Sequence, residues 1–185
     1  MISIIVSVGA TEELVSLLVN VICLGIGPFV AAIILISRTG SAIVVDLGNM
    51  KLHGEIEGLE NLGIDINTFL VAPRLIGTAI SQLAVTVYFT FLILVSGILL
   101  SGYLISSTHY EILSSIVSAF TPLLISLFVI KNLLFGFIIA AISSYNGLSV
   151  TISPTEVPQQ ATKAIVNCLI SIFLIDGLIA MMIIL

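Results

Sequence analysis

Four long apolar runs constrain the fold of this chain more than any other feature. They cover residues 14–37, 75–110, 112–145 and 164–185; the first two have no charged side chain, and the others have one each, Lys131 and Asp176. About 20 apolar residues let a helix cross a hydrocarbon core about 30 Å thick. The runs are too long for barrel strands and lack period-two alternation. The sequence therefore predicts an all-α polytopic transmembrane helical bundle of about four helices, in a single domain over residues 1–185.

The composition agrees with a membrane protein and argues against several other classes. Hydrophobic residues make up 59% of the chain and charged residues 8%, whereas soluble domains are roughly 25% charged. The net charge of −5 and the lack of a basic stripe argue against nucleic-acid binding, which needs cations to neutralise phosphates. Cys23 and Cys168 lie inside separate apolar runs, which is typical of inert buried thiols.

Enzyme and metal motifs are absent from the sequence. No GxSxG, HExxH, GxGxxG or GxxxxGK[ST] occurs, so any ATP that the protein uses must be bound by another chain. His53 and Glu57 have the spacing of neighbours on a helix, but two candidate ligands do not make a zinc site. We therefore expect a non-catalytic chain without a metal.

Residues 38–74 form a charged island between the first two apolar runs, which predicts a water-facing loop. Apolar side chains over residues 46–62 have helix-like spacing, with the acidic side chains mostly off the apolar stripe, and Gly63 is a plausible helix stop. Membrane-surface helices are usually basic, so an acidic amphipathic helix favours docking to a basic groove on a partner protein. The alternative is a solvated loop that lies on the membrane surface. The island contains Arg38, Asp46, Lys51, Glu55, Glu57, Glu60, Asp65 and Arg74.

The distribution of cations predicts which loops face the cytoplasm. Cytoplasmic loops are enriched in Lys and Arg, and four spans place both termini on one side of the membrane. The two loops opposite the termini, residues 39–73 and 146–163, contain or adjoin four cations, whereas the loop at residues 106–115 contains none. We therefore expect the charged island in the cytoplasm and both termini outside. The four cations are Arg38, Lys51, Arg74 and Lys163.

Several short motifs follow one another in order along most of the chain. They are Gly27-Pro28, RTGSAI (38–43), DLGNMK (46–51), Glu55-Ile56-Glu57, LENLGID (59–65), VAPR (71–74), YNG (145–147) and QATKAIV (160–166). Together they resemble the MlaE-type permease family, the membrane subunits of MCE-associated ABC lipid transporters. The resemblance runs from about residue 22 to the C-terminus.

The resemblance implies a permease subunit that is not itself an enzyme and needs no cofactor. Family members form a homodimer on two cytoplasmic ABC ATPase subunits, and short cytoplasmic helices couple ATP hydrolysis to membrane motion. An MCE-domain protein caps the permease on the far side, and some bacterial complexes add a small STAS-domain subunit. The substrate is a lipid, mainly phospholipid, moved between membranes. The implied location is the bacterial inner membrane, with the plastid inner envelope as the alternative.

The resemblance and the residues themselves together suggest two groups of site residues. The first group lies on the lipid pathway or is polar inside the membrane, and comprises Gly25, Gly27, Pro28, Lys131 and Asp176. The ATPase-coupling interface comprises Asp46, Lys51, Glu55, Glu57, Glu60 and Asp65.

The chain departs from the family pattern in three places. It is short, because family members usually carry an amphipathic interfacial helix and one more transmembrane helix before the region that begins here. An acidic residue often precedes the family's Gly-Pro, at the position of Gly25 here, and the common Glu-Glu pair of the coupling helix is Gly54-Glu55. The alternative to a transport subunit is a truncated, non-transporting membrane scaffold or paralogue fragment.

Lys131 and Asp176 lie deep in the apolar runs. A charge at mid-bilayer costs about 2.5–3.5 kcal/mol on insertion scales, so it usually faces protein or water. If the third span ends near residue 143 and the fourth begins near residue 164, each charge lies about 12 residues, or roughly 18 Å, from the cytoplasmic face. The two side chains can therefore meet. They can form a structural ion pair, or they can contact a lipid headgroup or act as a gate.

Gly25, Gly27 and Pro28 interrupt the first apolar run. Proline removes one backbone hydrogen bond and kinks a helix, and neighbouring groups can repair the loss inside a membrane. The kink can serve helix packing, or it can open a cavity for acyl chains at the centre of a dimer.

Overall fold

The computed structural model describes residues 11–104, 116–151 and 153–184. Within these ranges the regular structure is helical, and four helical stretches are long and apolar enough to cross a membrane. They are Ser16–Leu52, Asn67–Leu99, Pro122–Leu148 and Glu156–Met181. The predicted all-α bundle with four membrane-crossing helices is confirmed. The expected outer loop at residues 106–115 lies outside the described residues.

The first crossing is one continuous helical rod with two wider π-turns. It comprises α1 (Thr11–Val21), a first π-turn (Ile22–Ile26), α2 (Gly27–Leu35), a second π-turn (Ile36–Gly40) and α3 (Ser41–Leu52). The first π-turn lies directly before Gly27-Pro28, where the sequence predicts an interruption. The helix axis therefore continues through this point, with a local change in hydrogen bonding.

The expected end of this crossing near residue 37 is wrong, because the rod continues as α3. Ile43, Val44 and Leu47 are buried in the bundle, where α3 packs against the third and fourth crossings. The hydroxyl of Ser41 donates to the carbonyl of Ser37 at 2.5 Å, which spans the junction. The first part of the charged island is therefore a packed helix rather than a loop.

A short acidic helix, α4 (Glu55–Asn61), follows the rod. Gly54 precedes it and Gly63 follows it, and both are left-handed, with φ of +73° and +77°, a conformation that suits glycine. The amides of Gly63 and Ile64 donate to carbonyls in the last turn at 2.9 and 3.1 Å, as in a Schellman cap. The predicted stop at Gly63 is confirmed. A single helix over residues 46–62 is wrong, because the chain turns at Gly54.

The remaining crossings each have a defined start. The second begins with a third π-turn (Asn67–Val71) and continues as α5 (Ala72–Leu104), the third is α6 (Pro122–Leu148), and the fourth is α7 (Glu156–Ile184). The hydroxyl of Thr121 accepts a hydrogen bond from the Leu124 amide at 3.3 Å.

This hydroxyl cap, with proline at the first helical position, starts α6 at Pro122. The apolar run from residue 112 is therefore interrupted before Pro122, and residues 112–115 lie outside the described residues. α7 begins well before the expected residue 164, at Glu156, whose carboxylate accepts a hydrogen bond from the Thr151 amide at 3.0 Å. Pro158 lies in the first turn, where a missing amide costs no helical bond.

Two glycines of α6 allow the closest helix packing. A Cβ atom on Gly136 would lie 2.6 Å from the Cα atom of Ala79 in α5. A Cβ atom on Gly147 would lie 2.9 Å from Leu47 Cβ and 3.2 Å from Val44 Cα in α3. α6 therefore packs backbone to backbone against two other crossings. The main buried cluster lies beside these contacts and comprises Ala32, Leu35, Ile36, Phe135, Ile139, Cys168 and Ile172.

Candidate functional site

A charge pair lies inside the membrane-crossing part of the bundle. The Lys131 ammonium of α6 contacts the Asp176 carboxylate of α7, and the two side chains are 4% and 24% exposed. The predicted meeting of these charges is confirmed. Lys131 Nζ also lies 5.5 Å from the centroid of the Phe135 ring, within cation–π range. Removing one partner would leave a buried charge uncompensated, so the pair constrains how α6 and α7 pack.

Lys131 also bonds to the first crossing at its interruption. Its ammonium donates to the carbonyl of Leu24. In an α-helix this carbonyl would accept from the amide of residue 28, but Pro28 has no N–H. Lys131 therefore satisfies a carbonyl that the proline leaves without its helical donor. One side chain thus joins the first π-turn, α6 and α7.

The other residues of the interruption lie in different surroundings. The amide of Gly27 donates to the carbonyl of Ile22 and closes the first π-turn. A Cβ atom on Gly27 would lie 2.7 Å from that carbonyl oxygen and 2.8 Å from Thr90 Oγ1. A Cβ atom on Gly25 would have no neighbouring atom within 4 Å. Close packing therefore explains Gly27, whereas the acyl-chain cavity at a dimer centre stays a prediction.

A row of buried polar side chains in α5 adjoins the interruption, and the sequence reasoning missed it. We call Thr78, Gln82, Thr86 and Thr90 the polar ladder; each is 5% exposed or less. Polar residues four positions apart in an apolar helix lie on one face. This spacing was a readable signal, because the row is visible in the sequence of the second apolar run.

The polar ladder hydrogen-bonds to both neighbouring crossings. The side-chain amide of Gln82 donates to the Pro28 carbonyl at 3.2 Å, and the hydroxyl of Thr86 donates to the side-chain carbonyl of Asn132 at 2.6 Å. Gln82 Oε1 and Thr90 Oγ1 are buried without a partner among the described residues. The interior beside Pro28 is therefore polar as well as tightly packed.

At one end of the bundle, two of the predicted coupling residues bind other helices. Asp46 of α3 forms an ion pair with Arg74 of α5 at 2.5 Å. The Lys51 ammonium donates to the carbonyl of Leu148, one of the terminal carbonyls of α6 that have no intrahelical donor. A cation is also favourable at the negative end of the helix dipole. Asp46 and Lys51 therefore attach α3 to its neighbours.

Asp65, a third predicted coupling residue, caps the second crossing. Its carboxylate accepts hydrogen bonds from the Thr68 hydroxyl at 2.6 Å, the Asn67 amide at 3.2 Å and the Thr68 amide at 3.3 Å. The Thr68 hydroxyl, followed by the Asn67 amide, lowers the pKa of Asp65 below its ordinary 3.8. The observed role of Asp65 is thus to start the helix.

The remaining three predicted coupling residues form the acidic face of α4. Glu55, Glu57 and Glu60 are exposed, and none has an ion pair or a side-chain hydrogen bond among the described residues. Ile56 is 6% exposed, and α4 packs against α3. The helix is therefore held on the bundle through Ile56 while its three carboxylates stay accessible.

The two loops predicted to be cytoplasmic meet at this same end. A Cβ atom on Gly48 would lie 3.2 Å from Val150 and 3.3 Å from Val157, which flank the connection between α6 and α7. Lys51 bonds to the end of α6 beside them. α4, which directly follows α3 and packs against it, therefore lies at the end of the bundle where α3, α6 and α7 meet.

The family model described as Permease MlaE matches residues 1–182, nearly the whole chain. The chain belongs to this family. The intramembrane ion pair, the polar ladder and α4 all lie within the matched residues.

Curated relatives agree with the family assignment. The chain is 30% identical over 151 residues to "Protein TRIGALACTOSYLDIACYLGLYCEROL 1, chloroplastic" of Arabidopsis thaliana, covering 82% of this chain and 43% of the relative. It is 29% identical over 167 residues to a probable ABC transporter permease protein of Synechocystis, and the match covers 90% of this chain and 63% of the relative. It is 23% identical over 154 residues to the "Intermembrane phospholipid transport system permease protein MlaE" of Haemophilus influenzae, covering 82% and 58%. The chain thus spans about half of the length of these relatives.

Proposed function

We propose that this chain is the permease subunit of an ABC transporter that moves phospholipid or a related lipid between membranes. A separate cytoplasmic ATPase hydrolyses the ATP, and this chain contributes one MlaE-type permease domain. Membership of the permease family supports the first part. The names of relatives, which include ABC transporter permeases and an intermembrane phospholipid transport permease, support the motor and the substrate class.

The observation that carries the proposal is the acidic face of α4. Three carboxylates that have no partner in the described part of the chain project from a short helix that Ile56 anchors to the bundle. Left-handed glycines bound this helix on both sides, so its orientation is fixed by the turns and by its packing. Such a surface suits a basic groove on a soluble partner. We assign that groove to the ATPase.

The contacts of the six predicted coupling residues divide them into three groups. Glu55, Glu57 and Glu60 contact the ATPase. Asp46 and Lys51 transmit its movement, because they attach α3 to α5 and to the end of α6. Asp65 keeps the start of the second crossing in place.

The intramembrane ion pair is the part of this chain best suited to meet a polar lipid group. The Asp176 side chain is 24% exposed, so part of it reaches the surface of the chain, where a second copy or a lipid headgroup can approach it. We expect a homodimer in the bacterial inner membrane or the plastid inner envelope. We expect an MCE-domain protein on the opposite side and, in some complexes, a STAS-domain subunit.

Co-purification in mild detergent tests the proposal. The wild-type chain should bring down an ATPase and bound phospholipid, identified by mass spectrometry. The double variant Glu55→Lys/Glu57→Lys should reduce the recovered ATPase severalfold, because two like charges would then face a basic groove. Circular dichroism should show an unchanged helix content.

The matched control is Glu12→Lys/Glu13→Lys, which makes the same charge change at the other end of the rod. This control should recover the ATPase at the wild-type level. Undiminished ATPase recovery with the α4 variant would refute the coupling role of the acidic face. A wild-type chain that recovers neither ATPase nor lipid would favour the non-transporting scaffold.

A further inference from the structure

A groove lies on the outer surface of the bundle between α6 and α7. Its volume is about 490 Å³, and its lining includes Tyr145 of α6 and Asn167, Ile170 and Ser171 of α7. Tyr145 is 76% exposed and Ile170 is 55% exposed, so the groove opens outwards. Asn167 lies about two and a half helical turns from Asp176, on the opposite side of α7. The groove is therefore separate from the intramembrane ion pair.

Polar side chains follow one face of α7 from Lys163, one helical turn outside the groove lining, to Ser171 within it. Lys163, Asn167 and Ser171 are spaced four residues apart, so they lie on one face and descend about 6 Å at each step. Lys163 and Asn167 are exposed, and neither has a hydrogen bond or ion pair among the described residues. An amide facing hydrocarbon without a partner is costly. An occupant with hydrogen-bond acceptors would remove this cost.

We propose that this groove binds the phosphate and glycerol-ester region of an anionic phospholipid from the adjacent leaflet. Lys163, at the rim, pairs with the phosphate, and the Tyr145 hydroxyl lies beside it. The Asn167 amide and the Ser171 hydroxyl lie deeper in the membrane than Lys163. They donate to the ester carbonyls of the glycerophospholipid, which lie deeper than its phosphate. Ile142 and Ile170 provide apolar walls for the acyl chains.

The charge of the groove favours an anionic lipid over a zwitterionic one. None of the lining residues is acidic, and Lys163 adds one cation at the rim. A lipid without its own ammonium group leaves the phosphate free to pair with Lys163. This lipid is a fixed occupant of the outer surface rather than transported cargo, so the proposal does not depend on the transport function.

Tryptophan quenching provides the test, because the chain contains no tryptophan. Tyr145→Trp places one fluorophore at the groove and retains a hydrogen-bond donor. The variant is reconstituted in mixed vesicles of phosphatidylglycerol and phosphatidylcholine, with bromine on the acyl chains of one lipid or the other. Brominated phosphatidylglycerol should bind with about fivefold preference, which corresponds to about 1 kcal/mol for one interfacial cation. Adding Lys163→Gln should reduce the preference to about one.

The matched control is Phe173→Trp, at a side chain of α7 that is 66% exposed. It should be quenched equally by both lipids. Equal quenching at the groove would overturn the proposal. Quenching of the control but not of the groove fluorophore would also overturn it, because protein would then cover the groove. Native mass spectrometry of the unaltered chain should show retained phosphatidylglycerol that Lys163→Gln releases; equal retention by both would contradict the assignment.

Discussion

Removing one partner of the intramembrane ion pair should destabilise the bundle more than removing both. Asp176→Leu leaves the Lys131 ammonium, 4% exposed, bonded to the Leu24 carbonyl but without a counter-charge. Breaking a buried pair in this way costs about 3–5 kcal/mol. The double variant Lys131→Met/Asp176→Leu removes both charges. Its main remaining cost is the lost bond from Lys131 to the Leu24 carbonyl, about 1–3 kcal/mol. The double variant should therefore be more stable than Asp176→Leu alone by about 2 kcal/mol.

The free energy of unfolding can be measured by titrating SDS into mild-detergent micelles, with circular dichroism as the readout. A thiol-reactive dye gives a second readout, because Cys23 and Cys168 are both free and buried. A double variant no more stable than Asp176→Leu would refute the reasoning. Exchanging the two charges is a weaker test, since Lys131→Asp would place a carboxylate against the Leu24 carbonyl.

The bond between Lys131 and Leu24 has its own control at Pro28. Pro28→Ala restores an amide that can donate to the Leu24 carbonyl. In this background, Lys131→Met should cost about 1 kcal/mol less than in the wild type. An equal cost in both backgrounds would show that Lys131 does not replace the missing helical donor.

Three further predictions concern packing and helix ends. Gly136→Ala should destabilise the bundle by about 1–3 kcal/mol, because its new methyl group meets a backbone that cannot yield. The control in thermal unfolding is Gly97→Ala, where a Cβ atom would have no neighbour within 4 Å. Equal losses of stability in the two variants would contradict the close packing at Gly136. At pH values above its ordinary pKa, the Asp65 carboxylate stabilises the start of the helix. This stabilisation is lost as the pH falls through the lower pKa that Asp65 has in the folded state. Thr68→Val should therefore raise the Asp65 pKa towards its ordinary value in a carboxyl-carbon NMR titration, and an unchanged pKa would refute the hydroxyl as the main cause. Lys51→Met should speed hydrogen exchange at the C-terminal end of α6, whereas unchanged exchange would show that this end needs no cap.

The fold class could be predicted from the sequence because hydrophobic length alone dictates it. Four runs with almost no charge leave few alternatives to a bundle of crossing helices. The ends of the helices could not be predicted from hydropathy, because local bonds set them. The start of α6 depends on the Thr121 cap, and α3 extends into the charged island because it is buried against other helices.

The candidate site was only partly readable from the sequence. Lys131 and Asp176 were conspicuous as lone charges, and matching depths predicted their contact. Their third partner, the Leu24 carbonyl, could not be predicted. Every residue has a backbone carbonyl, so the residue type does not show which one accepts a hydrogen bond. The charged island and the resemblance together predicted six coupling residues, yet Asp46 and Lys51 bind other helices. Which charges stay free depends on tertiary packing.

Site-directed labelling at the acidic face of α4 tests the account most directly. A Glu57→Cys variant, with Cys23 and Cys168 buried, is treated with a membrane-impermeant maleimide in intact cells and in inside-out vesicles. We predict labelling in the inside-out vesicles alone, and loss of that labelling when the ATPase is bound. Labelling of intact cells would contradict the account, because the acidic face would then lie on the side of the membrane that no cytoplasmic ATPase can reach.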